Sequence, residues 1–186
     1  MATKMRRNID DIPAVHISNP KTLEFQVART SLLPGLLKTI QANRNMPLPL
    51  KLFEISDVVL KDAGAEVGAR NERRLAAVFY NKSPGFEIIH GLLDRIMQLL
   101  ECSPVQVSKV MMSGFVMLTF STLQSGSAGY FIRQGDNPAY FPGRAADIVA
   151  HGQTIGSLGV VHPEVITAFD LNLPCSGLEI NIEPFL

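Results

Sequence analysis

The residues able to do chemistry in this chain are few and scattered. Histidines stand at His16, His90, His151 and His162, and a metal site would need at least a third ligand at suitable spacing beside any two of them. The two cysteines, Cys102 and Cys175, lie far apart without ligand-type neighbours, so neither a zinc site nor a disulfide framework is read from them. Gly152, Gly156 and Gly159 have the look of a phosphate loop, but no helix start with a lysine follows, and they suit the backbone needs of a hairpin better. Arg70, Arg73 and Arg74 could face phosphate, yet Glu66 and Glu72 sit among them. The Pro142-Gly143-Arg144 turn leaves two readings open: Arg144 as an ion-pair anchor at a subunit boundary, or as a solvated arginine. No catalytic, cofactor-binding or metal-binding residue emerges from spacing alone.

Composition narrows the class. The chain has 186 residues, 46% hydrophobic and 18% charged, enough for one globular domain with a sizeable core. Seventeen basic residues balance seventeen acidic ones, whereas autonomous nucleic-acid binding usually shows a basic face. The first residues lack the apolar core of a secretion signal. The most apolar window, 110–120, is shorter than the roughly 20 residues that a bilayer requires. These features give the expectation of a soluble cytoplasmic protein with reduced thiols.

The elements that must position any site follow from periodicity. Residues 1–13 read as a polar, flexible leader, and 14–17 as a short strand. Ser31 is placed to cap a helix carrying Leu32, Leu33, Leu36, Leu37 and Ile40 at helical spacing. Leu50–Leu60 and Leu75–Tyr80 read as a hairpin with a long tip over 61–72. Residues 86–100 form the clearest helix, with Ile89, Leu92, Leu93, Ile96, Leu99 and Leu100 as one stripe. The pattern deteriorates over 102–128, which reads as an atypical, insert-like segment. A second hairpin, 146–150 with 154–161, turns at His151-Gly152-Gln153; a short helix from Pro163 and a strand over 178–182 follow. With no βαβ alternation, the pattern predicts an α+β domain on a largely antiparallel sheet flanked by helices.

Five blocks, HISNPKTLEFQVARTSLLPGLLKTIQANR (16–44), LPLKLFEISDVVLKD (48–62), NKSPGFEIIHGLLDRIMQLL (81–100), FPGRAADIVAHGQTIGSLGVVHPEVI (141–166) and LEINIEPFL (178–186), resemble the C-terminal catalytic-like module of the eukaryotic and archaeal phenylalanyl-tRNA synthetase β chain. That resemblance implies a class II aminoacyl-tRNA synthetase-like fold over 14–186. Class II catalytic strands end in a phenylalanine-arginine-x-acid signature whose arginine clamps the ATP α-phosphate. Here Leu60 stands where that arginine belongs, and Lys61 points to the opposite face. The late arginine that stacks on adenine is also missing, since no arginine follows Arg144.

The resemblance therefore implies a non-catalytic assembly module that supports an α chain in ATP-dependent charging of tRNA-Phe. Its implied partners are the α chain and a second β chain, with tRNA reached only through the complex and no membrane involved. ATP and Mg2+ belong to the full complex, and none is expected in this chain. Leu32, Leu36, Leu37, Ile40 and Arg144 are the candidate subunit-interface residues, against ordinary core packing for the leucines and isoleucine. The rival is a stand-alone small enzyme or amino-acid-binding domain on the same class II-like sheet.

Overall fold

The computed structural model describes residues 2–22, 26–105, 109–112, 115–118 and 129–186. Among the described residues, three α-helices, α1 (Leu33–Ala42), α2 (Phe86–Leu99) and α3 (Pro163–Ala168), accompany eight strands. The strands are β1 (Leu50–Lys61), β2 (Ala69–Tyr80), β3 (Lys109–Met112), β4 (Phe115–Leu118), β5 (Tyr130–Gln134), β6 (Tyr140–Ala150), β7 (Gln153–Val161) and β8 (Cys175–Asn181). Six of them form one antiparallel sheet in the order β1-β2-β8-β7-β6-β5, and β3 pairs with β4. The domain is thus α+β with an antiparallel sheet and few helices, as the alternating strand pattern predicts.

Strand β8 is covered on both sides, so nearly its whole length is buried. Its odd residues face one core with α1, and its even residues face a second core with α2. The first core joins Leu33, Leu36, Leu37 and Ile40 of α1 to Val58, Val78, Tyr80 and Tyr140 of the sheet. The second joins Ile89, Leu93 and Met97 of α2 to Phe79, Ile148, Leu178 and Ile180. Each such buried side chain contributes roughly 1.5–3 kcal/mol.

Four local readings change. The residues expected to form a frayed leader pack onto the domain: two 3-10 turns span 3–5 and 9–11, and Met5 is buried in the first core. The β1–β2 hairpin runs on to Lys61 and Ala69, because ion pairs of Arg70 with Asp62 and Glu72 continue the ladder past the expected tip. Pro142-Gly143 falls inside β6 as an outward bulge between Tyr140 and Ala145, with Gly143 at a left-handed φ of 73°, a shape β-bulges allow and few residues but glycine adopt. The α2 stripe divides: Ile89, Leu93 and Met97 are buried, while Leu92 and Leu99 are exposed. Much of the insert-like reading over 102–128 falls on 106–108, 113–114 and 119–128, outside the described residues.

Candidate functional site

A cleft of about 370 Å³ opens on the α1 side of the sheet. Strand alternation brings its floor together. Leu60 pairs in register with Arg70, so both share a face, and Glu72 and Arg74 follow at period two. Glu179 reaches the same floor from β8, two register positions from the Arg74–Asn181 pair. Tyr140 of β6 and Ser157 of β7 close the far wall, and Met5 and Arg7 line the mouth.

Glu72 and Glu179 are both buried, and burial of a carboxylate is tolerable only with close partners. Glu179 has four donors. Its Oε2 accepts from Ser31 Oγ at 2.6 Å and from the Leu32 and Leu33 N–H groups, each at 3.2 Å. Its Oε1 accepts from Arg74 Nη1 at 2.9 Å. Arg74 also donates through Nε to Glu72 Oε1 at 2.7 Å and through Nη1 to the Thr30 carbonyl at 3.2 Å. Arg70 Nη1 reaches the other Glu72 oxygen at 2.9 Å. Burial alone would lower the Arg74 pKa, but Glu179 and Glu72 outweigh it and hold the guanidinium above its ordinary value.

This network explains how α1 begins. Ser31 is placed by the sequence to cap the helix, yet it donates its hydroxyl to Glu179, and α1 has no side-chain cap of its own residues. The exposed N–H groups at a helix start attract an anion, and here the anion is Glu179, supplied from 146 to 148 residues away. At the other wall the Tyr140 hydroxyl, hydrogen-bonded to Ser157, is fully enclosed, and burial drives its pKa far up. Asn137 Nδ2 donates to Ser157 Oγ at 3.0 Å while its Oδ1 accepts from Arg7.

Chemically the floor of the cleft is self-satisfied, while Arg7 at its mouth donates to the neutral Asn137 amide. Phosphate binding needs an uncommitted guanidinium or helix N-terminus. Arg70, Arg74 and the start of α1 are each matched by a carboxylate of the chain. Leu60 adds a buried aliphatic side chain. The floor therefore does not fit a nucleotide phosphate. Sequence reading missed this arrangement; its one local signal was a lone acid, Glu179, between the apolar Leu178 and Ile180.

The candidate interface residues separate. Leu32, Leu36, Leu37 and Ile40 are buried in the chain's own first core, the arrangement that the core-packing reading expects. Arg144 is exposed on the β6 bulge, three residues from Phe141, whose ring stacks on His162 with centroids 6.0 Å apart. The histidines have separate duties: His162 Nδ1 accepts the Glu164 N–H at the start of α3, His90 lies 3.4 Å from Asp94, and His151 packs on Phe185. Gly156 and Gly159 permit close strand packing, since a Cβ would meet the Glu179 and Arg144 carbonyls at 2.2 and 2.7 Å. Among the described residues, no helix is long and apolar enough to cross a membrane.

Comparison with known proteins gives the family. A family model described as phenylalanyl tRNA synthetase beta chain CLM domain matches residues 2–182. The phenylalanine–tRNA ligase beta subunit of Mus musculus is 61% identical over 186 residues, all of this chain and 28% of the relative. The Drosophila melanogaster beta subunit is 56% identical over 98% of the chain, and the Arabidopsis thaliana protein named as the cytoplasmic beta subunit is 42% identical over 96% of it. This chain spans about 28% of the length of these relatives. The C-terminal position expected from the resemblance is set aside, because the matches identify the domain and do not put it at that end.

Proposed function

Since this chain belongs to the phenylalanyl-tRNA synthetase beta chain CLM domain family, we propose that it is a non-catalytic assembly module of a phenylalanine–tRNA ligase β subunit. In this reading it supports a catalytic α chain, within an assembly containing a second β chain, during ATP-dependent charging of tRNA-Phe. ATP and Mg2+ act on the α chain, tRNA meets this module only through the complex, and the complex works in the cytoplasm. The sheet is a class II synthetase-like platform whose cleft has been filled by its own side chains. The observation that carries the reading is the Glu72–Arg74–Glu179 network, which commits the cleft's buried guanidinium and the α1 N-terminus to internal carboxylates.

The test is phenylalanine- and ATP-dependent pyrophosphate exchange, measured on this chain alone and after co-expression with the α chain. The expected result is no exchange by the chain alone and retention of the α chain on it at micromolar concentration. Adenylate formation by the isolated chain, lost on Arg74→Ala, would instead establish the stand-alone enzyme.

A further inference from the structure

The two faces of the sheet are covered unequally. On the side away from the cleft, α2 lies over β2, β8 and β7. Beside it, the same face of edge strand β1 presents Phe53 at 74% and Ile55 at 49% exposure. Together with Ile88 and Leu92 of α2 these line a groove of about 400 Å³. Ile88, Leu92 and Leu99 fall on one side of α2, turned from the buried Ile89, Leu93 and Met97. That is a second apolar seam on a helix that has already buried its first. A contiguous apolar surface of this kind marks an interaction site.

Its shape and charge select the occupant. Neighbouring strands lie about 4.8 Å apart and a helix is roughly 10 Å across, so the uncovered strip beside α2 suits one further helix. Strand addition is obstructed at the far end of the edge, where the Val59 and Lys61 N–H groups already donate to the Arg29 and Pro13 carbonyls at 3.0 and 2.8 Å. The rim is cationic: Lys51 lines the groove on the strand side, and Arg95 flanks the α2 seam, bonded to the neutral Gln98. Glu54 lies on the opposite face of the strand, paired with Arg29, and the nearest acid on the groove face, Asp57, is held by Arg73.

We propose that this groove receives an amphipathic helix of a partner chain, its apolar stripe against Phe53 and Leu92 and acidic flanks toward Lys51 and Arg95. The proposal rests on the assembly reading and names the surface through which assembly acts.

Phe53→Asp is the informative variant, since so exposed a side chain can be replaced without unfolding the domain. Retention of the co-expressed α chain is measured for wild type and variant. Binding of designed helices of roughly 18 residues, with a leucine stripe and either glutamate or lysine flanks, is followed by fluorescence anisotropy. The expected result is at least tenfold weaker retention by the variant, and binding of the glutamate-flanked helix to wild type only. Equal retention by both proteins overturns the groove and leaves the assembly reading standing. If wild type retains no α chain, the assembly reading falls and the peptides decide the groove: glutamate-flanked binding sustains it, and no binding overturns it. A concentration-dependent dimer in sedimentation, dissolved by Phe53→Asp, also overturns the proposal, because a second copy would then fill the groove.

Discussion

The cleft above α1 and the groove beside α2 lie on opposite faces of one sheet and are finished in opposite ways. In the cleft, charged groups that could reach outward are spent on each other: Arg74 on Glu72 and Glu179, and Glu179 on the first N–H groups of α1. In the groove, apolar groups that would ordinarily turn inward are left facing solvent, Phe53 above all. A cleft floor whose buried charges are matched has little to offer a nucleotide, while an uncovered apolar groove gains free energy by meeting another surface. On the proposal made above, the contrast assigns stability to the first face and association to the second.

The largest expected effect breaks the closed face. Glu179→Ala leaves Arg74 with one carboxylate partner and strips the α1 start of its anion, and removing one member of a buried pair costs about 3–5 kcal/mol. Urea denaturation should show this loss, with Leu37→Ala, in the same core, costing about 2–5 kcal/mol. A change below about 1 kcal/mol for Glu179→Ala would mean that the network is not a structural one.

A second effect, smaller at neutral pH and growing with alkalinity, reads the same closure through Cys175. Burial on β8 pushes its thiol up to about 12 from the ordinary 9.0. Below pH 9 the thiol is protonated in the folded and unfolded chains alike, and its contribution is fully present. Between about 9 and about 12 the unfolded chain releases a proton that the folded chain keeps, so stability falls as pH rises. Denaturation series from pH 8 to pH 11, at roughly unit intervals, should show this decline, and Cys175→Ala should flatten it. Identical slopes in the two proteins would assign the alkaline loss to other groups, Tyr130 and Tyr140 first, whose hydroxyls burial also holds up.

How far the sequence reveals this contrast depends on the range of the forces involved. Both hairpins and both longer helices are legible because alternation and helical spacing are local properties, visible in Leu50–Tyr80 and in 86–100. The closed cleft is not legible, because its key bonds join Glu179 to Ser31 and Arg74 across 148 and 105 residues, and no local pattern records which strand lies beside which. Ser31 shows the limit well. Its type and position suit a helix cap, but a buried carboxylate nearby competes for its hydroxyl and takes over the capping itself. The groove was half legible: Leu92 and Leu99 belong to the apolar stripe of α2, yet only the position of β1 shows that they point past the core.

The smallest expected effect sharpens the comparison from the open side. Phe53 is as apolar as any residue of the cores, so its sequence alone would rank its loss with theirs. Its free energy on folding depends on area withdrawn from water, and at 74% exposure little is withdrawn. Phe53→Ser should therefore change the unfolding free energy of the chain by no more than about 0.5 kcal/mol. The same substitution should weaken partner retention by a much larger factor, since a partner helix would bury the ring that folding leaves bare. Denaturation and retention measured on one preparation separate the two quantities. A loss of stability approaching that of Leu37→Ala would show that Phe53 serves the fold, and the division between a closed face and an associating face would have to be redrawn.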